Sequence, residues 1–221
     1  MNIKLLLASL GLSLTQLSFA SYDLSSVNIP EEARPQIDKS LITEQMQEIQ
    51  EKGYIERNSL KYEYLNGIES RINYEAQGKV KSTHLRKSLA EIFAVPSLKT
   101  VPSTVKKTTL GFAPVGTFDP NAGWTGITEI FKSNDIGICQ FSHFDLKAGN
   151  GAYSLSKDND RRDVNGKYTY VEVTGKENEG FDYKVAWFEE LNMYTLSCIN
   201  KAFSKDFIQQ VINLAQQIDR G

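Results

Sequence analysis

The sequence predicts an α+β fold, in which a helical N-terminal segment is followed by an antiparallel sheet that packs against a C-terminal amphipathic helix. Three observations support this prediction. Apolar residues recur every three to five positions near both ends of the chain, residues 136–200 show the two-residue alternation of strands, and Asn165-Gly166 is typical of a hairpin turn. The expected organisation is a signal peptide over 1–20, a helical segment over 21–95, a Pro-rich linker and irregular entrance over 96–126, and an α+β domain over 127–221.

The first 20 residues have the pattern of a secretory signal peptide. Lys4 supplies a positive start, residues 5–17 are mainly apolar but too few to cross a bilayer, and Ser18 and Ala20 are small residues where a signal peptidase cuts. The sequence therefore predicts a periplasmic or secreted protein whose mature chain begins near Ser21.

Charge and composition argue against two functional classes. The chain has 25 Lys and Arg against 27 Asp and Glu, and removing Lys4 with the signal leaves 24 against 27, a net charge near −3. General nucleic-acid binding normally needs a basic excess. No second apolar run approaches the roughly 20 residues of a transmembrane helix. We therefore expect neither a nucleic-acid partner nor a transmembrane span.

The helical segment begins with an apolar stripe that Gly53 ends (Ile37, Leu41, Ile42, Met46 and Ile49). A second stripe predicts a helix over 79–94, stopped by Pro96. Residues 54–76 allow two interpretations. Asn66-Gly67 between alternating residues would suit a hairpin, whereas four apolar residues at steps of four suit a helix (Leu60, Tyr64, Ile68 and Ile72). The helix is favoured, because no β-branched run is present.

Residues 96–126 contain four of the six prolines of the chain, which favours a linker. Beyond it, strands are predicted over 136–146, 168–174, 181–187 and 193–200. Ser204 can cap a closing helix, whose apolar stripe is Phe207, Val211, Leu214, Ala215 and Ile218. This helix is expected to cover the apolar face of the sheet.

Cys139 and Cys198 are the only cysteines, and in an exported chain a pair of cysteines most often forms a disulfide. The bridge would close a loop of about 60 residues and stabilise the fold by roughly 4 kcal/mol. An alternative adds His143, which shares a strand face with Cys139, as a metal ligand or as the base of a catalytic thiol.

A basic run follows the acidic segment 31–75 and is a candidate patch for contact with an anionic surface or partner: Lys79, Lys81, Arg86, Lys87, Lys106 and Lys107. Asp158, Asp160 and Asp163 lie close together but lack the glycine and glutamate positions of a calcium loop. No metal or cofactor site is therefore assigned.

The sequence contains none of the short motifs of serine hydrolases, P-loops, zinc proteases or dinucleotide-binding folds. The favoured function is an exported, disulfide-stabilised binding or protein-interaction module of the bacterial envelope, with an envelope protein or an anionic surface component as partner and no catalysis expected. Two alternatives stay open. One is a secreted hydrolase with dispersed acidic residues, or a thiol or metal enzyme using Cys139, His143 and Cys198. The other is a structural subunit of a secretion or surface assembly. The ligand and the oligomeric state are left open.

Overall fold

The structure, a computed structural model, describes residues 39–79, 83–151 and 161–221. The predicted signal peptide over 1–20, Lys81, Asp158 and Asp160 lie outside the described residues. The helices are α1 Lys39–Lys52, α2 Leu60–Asn66, α3 Ile68–Ala76 and α4 Lys205–Arg220. The strands are β1 Ile55–Glu56, β2 Lys107–Asp119, β3 Gly123–Ser133, β4 Gly137–Asp145, β5 Thr169–Lys176, β6 Gly180–Glu189 and β7 Asn192–Asn200.

The seven strands form one mixed sheet with the order β1-β5-β6-β7-β4-β3-β2. Two antiparallel meanders, β2-β3-β4 and β5-β6-β7, join where β4 pairs with β7. The fold is α+β, as predicted, but the sheet is larger than expected and is not purely antiparallel, since β1 runs parallel to β5. Strand β1 follows the predicted helical stripe and pairs in parallel at the edge of the sheet. A segment of two residues has no periodicity from which this strand could have been predicted.

Helix α4 covers one face of the sheet, in contact with β6 and β7. Its N-cap is Ser204, whose hydroxyl accepts a hydrogen bond from the backbone N–H of Phe207. The five apolar residues of the predicted stripe are all buried. They pack on alternate residues of β6, including Tyr183 and Trp187. The closing helix is therefore confirmed in its cap and in the face that it buries.

Helices α2 and α3 cover the opposite face of the sheet, where Leu65 and Ile68 are fully buried against Ile130 of β3. The approach of α2 depends on Gly180, which has φ +106° and lies under the Tyr62 ring. A Cβ at this glycine would lie 2.2 Å from a ring atom of Tyr62. Both faces of β6 are therefore covered, and Asp182 on its polar face is buried.

Residues 54–76 contain α2 and α3, so the helical interpretation of this region is confirmed. The predicted helix over 79–94 is not confirmed: among its described residues the structure has only the short 3-10 helix Leu89–Glu91. The backbone of Arg86 instead pairs with Phe112 at the outer edge of β2. Strand β2 and the start of β3 also lie within 96–126, which was predicted to be a linker.

Candidate functional site

Cys139 of β4 and Cys198 of β7 lie directly opposite each other and form a disulfide, with their Cα atoms 4.2 Å apart. The predicted bridge is confirmed. Both cysteines are fully buried beneath α4. The bridge links the two meanders at the only strand pair that joins them within the described sheet. Since both sulfur atoms are bonded to each other, neither is available as the nucleophile or metal ligand of the alternative hypothesis.

His143 is fully buried on the same strand, and both of its ring nitrogens have partners. The backbone N–H of Lys99 donates to Nδ1 at 2.7 Å, so the neutral ring carries its proton on Nε2, which donates to Asn192 Oδ1 at 2.9 Å. Burial lowers the pKa of His143, and the bond to Asn192 opposes this effect. His143 is thus a neutral structural residue that holds the segment before β2 against the sheet.

A pocket with a volume of about 330 Å³ opens beside the C-terminal turn of α4. Aromatic rings from three adjacent strands form its inner wall: Phe141, Trp187 and Tyr194. The Trp187 and Tyr194 rings lie nearly parallel with centroids 5.5 Å apart, and Tyr194 also stacks on His143 at 4.4 Å. Strand register places these side chains together, because Tyr194 pairs with Trp187 on one side and with His143 on the other.

The outer walls come from the segment before β2 and from the end of α4. The lining residues are Lys99, Thr100 and Pro102 on one side, and Ile218, Asp219 and Gly221 on the other. Glu129, buried on β3, anchors the first wall by accepting the backbone N–H of Val101 at 3.0 Å. The same carboxylate is ion-paired with Lys107 and accepts the hydroxyl of Thr109 at 2.7 Å. The wall is therefore fixed to the sheet by a charged, fully hydrogen-bonded group.

Asp219 is the one residue with a carboxylate side chain among the described residues that line the pocket, and that side chain is 6 % exposed. Its Oδ1 accepts from the Trp187 indole at 2.9 Å and from Lys167 Nζ at 2.6 Å. Its Oδ2 accepts from Asn165 Nδ2 at 2.8 Å. The predicted turn at Asn165-Gly166 thus places the side-chain amide of Asn165 beside the end of α4.

The basic residues of the candidate patch are only partly available to a partner. Lys107 is ion-paired with the buried Glu129. Lys79 lies over the Tyr74 ring with its Nζ 5.6 Å from the centroid, whereas Arg86, Lys87 and Lys106 are exposed. The anionic-contact patch stays a prediction, and Lys107 has a structural role in addition.

The pocket combines residues that the sequence did not single out as a site. The aromatic residues belong to predicted strands, but Lys99, Pro102 and Asp219 come from a predicted linker and from the polar side of a helix. No local spacing connects them, since they meet only after the sheet has formed. The one local signal was Asn165-Gly166, which marks a turn and says nothing of the helix that it contacts.

Within the ranges that the structure describes, no group of three or more His, Cys, Asp or Glu side chains is placed to hold a metal ion. The described helices include none that is long and apolar enough to cross a membrane.

Comparisons of the chain with models of protein families, with curated proteins and with solved structures found no match. Its function is therefore inferred from its own pocket, cysteines and charges.

Proposed function

We propose that the protein is an exported, disulfide-stabilised binding module of the bacterial envelope that holds a small ligand in the aromatic pocket. The pocket is the observation that carries this proposal. Its volume of about 330 Å³ lies near the lower end of the usual range for ligand sites, about 300–1,000 Å³. Mainly apolar walls with a few polar groups are the usual composition of such sites.

The hydrogen bonds of the titratable groups near the pocket support a role in binding without catalysis. The carboxylate oxygens of Asp219 accept three hydrogen bonds, and the nitrogens of His143 are both paired. A general base needs a free lone pair within reach of the substrate. These residues instead fix the walls of the pocket, which favours a preformed binding site.

Export is supported by the disulfide, because such bonds persist in oxidising compartments. When the full sequence, including residues 1–20, is expressed in a bacterial host, we expect the protein to be recovered outside the cytoplasm. Its mass should be that of a chain that begins at Ser21. The non-reduced mass should be two hydrogens lower than the reduced mass. Recovery of the uncleaved chain from the cytoplasm with both thiols free would contradict this part of the proposal.

Fluorescence can test the pocket, since the chain has two tryptophans and Trp187 lines it. In a Trp124→Phe protein, we expect at least one compound in a panel of phenol, benzoate, benzylamine, glucose and N-acetylglucosamine to change the Trp187 emission saturably. Thr100→Phe in the same background places a ring in the pocket wall and should abolish the change.

Ser103→Phe is the matched control, because Ser103 is exposed on the same segment and does not line the pocket. This variant should bind as the parent does. A panel that gives no saturable change, or a change that persists unaltered with Thr100→Phe, would show that this pocket is not a binding site.

A further inference from the structure

Three hydrogen bonds, given by alternate residues of the segment 97–101, hold one wall of the pocket against the sheet. The acceptors are side chains of β4 and β3: Asp145 Oδ2 for the Ser97 hydroxyl, His143 Nδ1 for the backbone N–H of Lys99, and Glu129 Oε2 for the backbone N–H of Val101. Two of these acceptors are carboxylates, and the middle one is an imidazole. Of the three, the imidazole is the kind of group that ordinarily changes its charge between about pH 5 and 8.

The middle bond exists only while His143 is neutral. A backbone N–H can only donate, so Nδ1 must keep its lone pair, and the single ring proton lies on Nε2, 2.9 Å from Asn192 Oδ1. A protonated imidazole donates from both nitrogens. Its Nδ1–H would point at the N–H of Lys99, and the 2.7 Å hydrogen bond would become a contact between two donors.

The other neighbours of the ring can accommodate its positive charge. Tyr194 stacks on the ring with centroids 4.4 Å apart, and an aromatic face attracts a cation. Burial, followed by the nearby charge of Glu189, raises the pKa of Tyr194 to about 12, so its own hydroxyl stays uncharged. Asn192 Oδ1 continues to accept from Nε2. The charges that act on the ring are Lys99, which disfavours its protonation, and Asp145, which favours it. Protonation therefore removes the bond to Lys99 and spares the others.

The two outer bonds of the wall persist in mild acid. Burial alone would raise the pKa of Asp145, but hydrogen bonds from two backbone N–H groups and from Ser97 outweigh it and lower that pKa. Glu129 is held as a carboxylate by its ion pair with Lys107. Residues 98–100 thus lie between two bonds that remain and contain the one that breaks.

We propose that protonation of His143 releases residues 98–100 from the sheet and opens this wall of the pocket in acid. Lys99 and Thr100, which line the pocket, lie in the released stretch, and the anchored Val101 ends it. Burial lowers the pKa of His143, so the open state, in which water reaches the ring, takes up the proton more readily than the closed state. Acid therefore favours the open wall. This release needs no ligand, and its failure would leave the proposed binding function untouched.

Amide hydrogen exchange followed by NMR measures the release in the free protein. The protection factor compares each amide with the unfolded chain at the same pH. As the pH falls from about 7 to about 5, we expect the protection factor of Lys99 to fall about fivefold, the factor for one hydrogen bond of ordinary strength. The protection factor of Val101 should not change. The ring resonances of His143 should titrate with the same midpoint as the Lys99 amide.

His143→Asn is the matched variant, because its amide oxygen can replace Nδ1 as an acceptor and cannot titrate. Protection of Lys99 should then be independent of pH over this range. His84→Gln removes the other histidine of the chain, which is exposed, and should keep the acid release. In the Trp124→Phe background, acrylamide should quench Trp187 more strongly at the lower pH, and His143→Asn should abolish this difference.

A Lys99 amide that stays protected after the His143 ring has taken up its proton would overturn the proposal. An equal loss of protection at Val101 would also overturn it, because the sheet would then be unfolding as a whole. The same holds for a ring that stays neutral until the entire fold is lost. If His143→Asn does not fold, the parent still decides the question, since different midpoints for the ring and the Lys99 amide would refute the coupling.

Discussion

Replacing both Cys139 and Cys198 by alanine is expected to lower the free energy of unfolding by about 4 kcal/mol. The two residues are 59 positions apart, and their bridge removes the closure entropy of that loop from the unfolded chain. Alanine is the better replacement because the site is fully buried, where a serine hydroxyl would add a desolvation cost. Urea unfolding followed by circular dichroism, with the parent in the same buffer, measures the difference.

The single variant Cys139→Ala is the control for packing, since it also breaks the bridge and removes only one side chain. It should lose most of the stability that the double variant loses. Addition of a reductant should lower the stability of the parent toward that of the variants and leave the variants unchanged. A double variant as stable as the parent would mean that the bridge does not constrain the unfolded chain.

The position of the bridge extends this prediction from stability to binding. The pocket takes Phe141 from one meander and Trp187 and Tyr194 from the other. The disulfide lies at the β4–β7 pair that joins the two meanders. A ligand that binds only the folded state stabilises that state. Adding such a ligand should restore part of the stability that the double alanine variant loses.

The second half of the fold was predictable because its local signals agree with its tertiary environment. Strand β6 alternates regularly, Ser204 caps α4, and the polar turn Asn165-Gly166 precedes β5. Each element buries the apolar face that its periodicity indicates, and β6 buries most of its other face as well. Sequence patterning succeeds in such regions because no long-range contact overrides it.

Strand β2 was missed because its residues violate the usual strand pattern. It contains Pro114, and Gly116 has φ +82°, features typical of loops. At the edge of a sheet, however, a proline costs no ladder hydrogen bond, and irregular register is tolerated. The register of β2 with β3 shifts twice along the strand. An edge strand of this kind has no distinctive local signal.

The predicted helix over 79–94 failed for a related reason. Apolar residues do recur at helical spacing in this segment, but they do not form one buried face. Phe93 is 56 % exposed, and Leu85 packs beside Gly111 of β2. Pairing of Arg86 with Phe112 satisfies the backbone groups of the sheet edge, which a helix could not do. The decisive partner lies more than 20 positions away, beyond the reach of a local pattern.

The environment of Asp182 was equally invisible in the sequence. Its place among the alternate polar residues of β6 suggests a solvent-facing side chain, yet it is 8 % exposed beneath α2. Burial raises its pKa to about 6, while the positive charges of Lys61 and Lys184 oppose the shift. Its Oδ1 is buried without a hydrogen-bond partner among the described residues. Both facts indicate that the folded protein holds the proton of this carboxyl more tightly than the unfolded chain does.

Asp182→Asn is therefore expected to stabilise the protein at neutral pH. The pKa of Asp182 is about 6 in the folded state against an ordinary value of 3.8, so between these pH values the folded chain binds more protons than the unfolded one. Stability of the parent then falls as pH rises from about 4 to 6, by about 3 kcal/mol in total. Asparagine cannot ionise, so the variant should be free of this loss.

Urea unfolding at intervals from pH 4 to 7.5 gives the test. The variant should match the parent most closely near pH 4, and its advantage should grow up to about pH 7 and then level off. Glu63→Gln is the control, because it removes an exposed carboxylate of α2 instead of a buried one. Its free energy of unfolding should change with pH as that of the parent does. Burial lowers the pKa of Lys61 and the charge of Asp182 opposes this lowering, so the Lys61→Met variant measured over the same pH range shows what Lys61 itself contributes to the slope. A difference between variant and parent that does not change with pH would refute the assignment of this loss to the buried carboxyl.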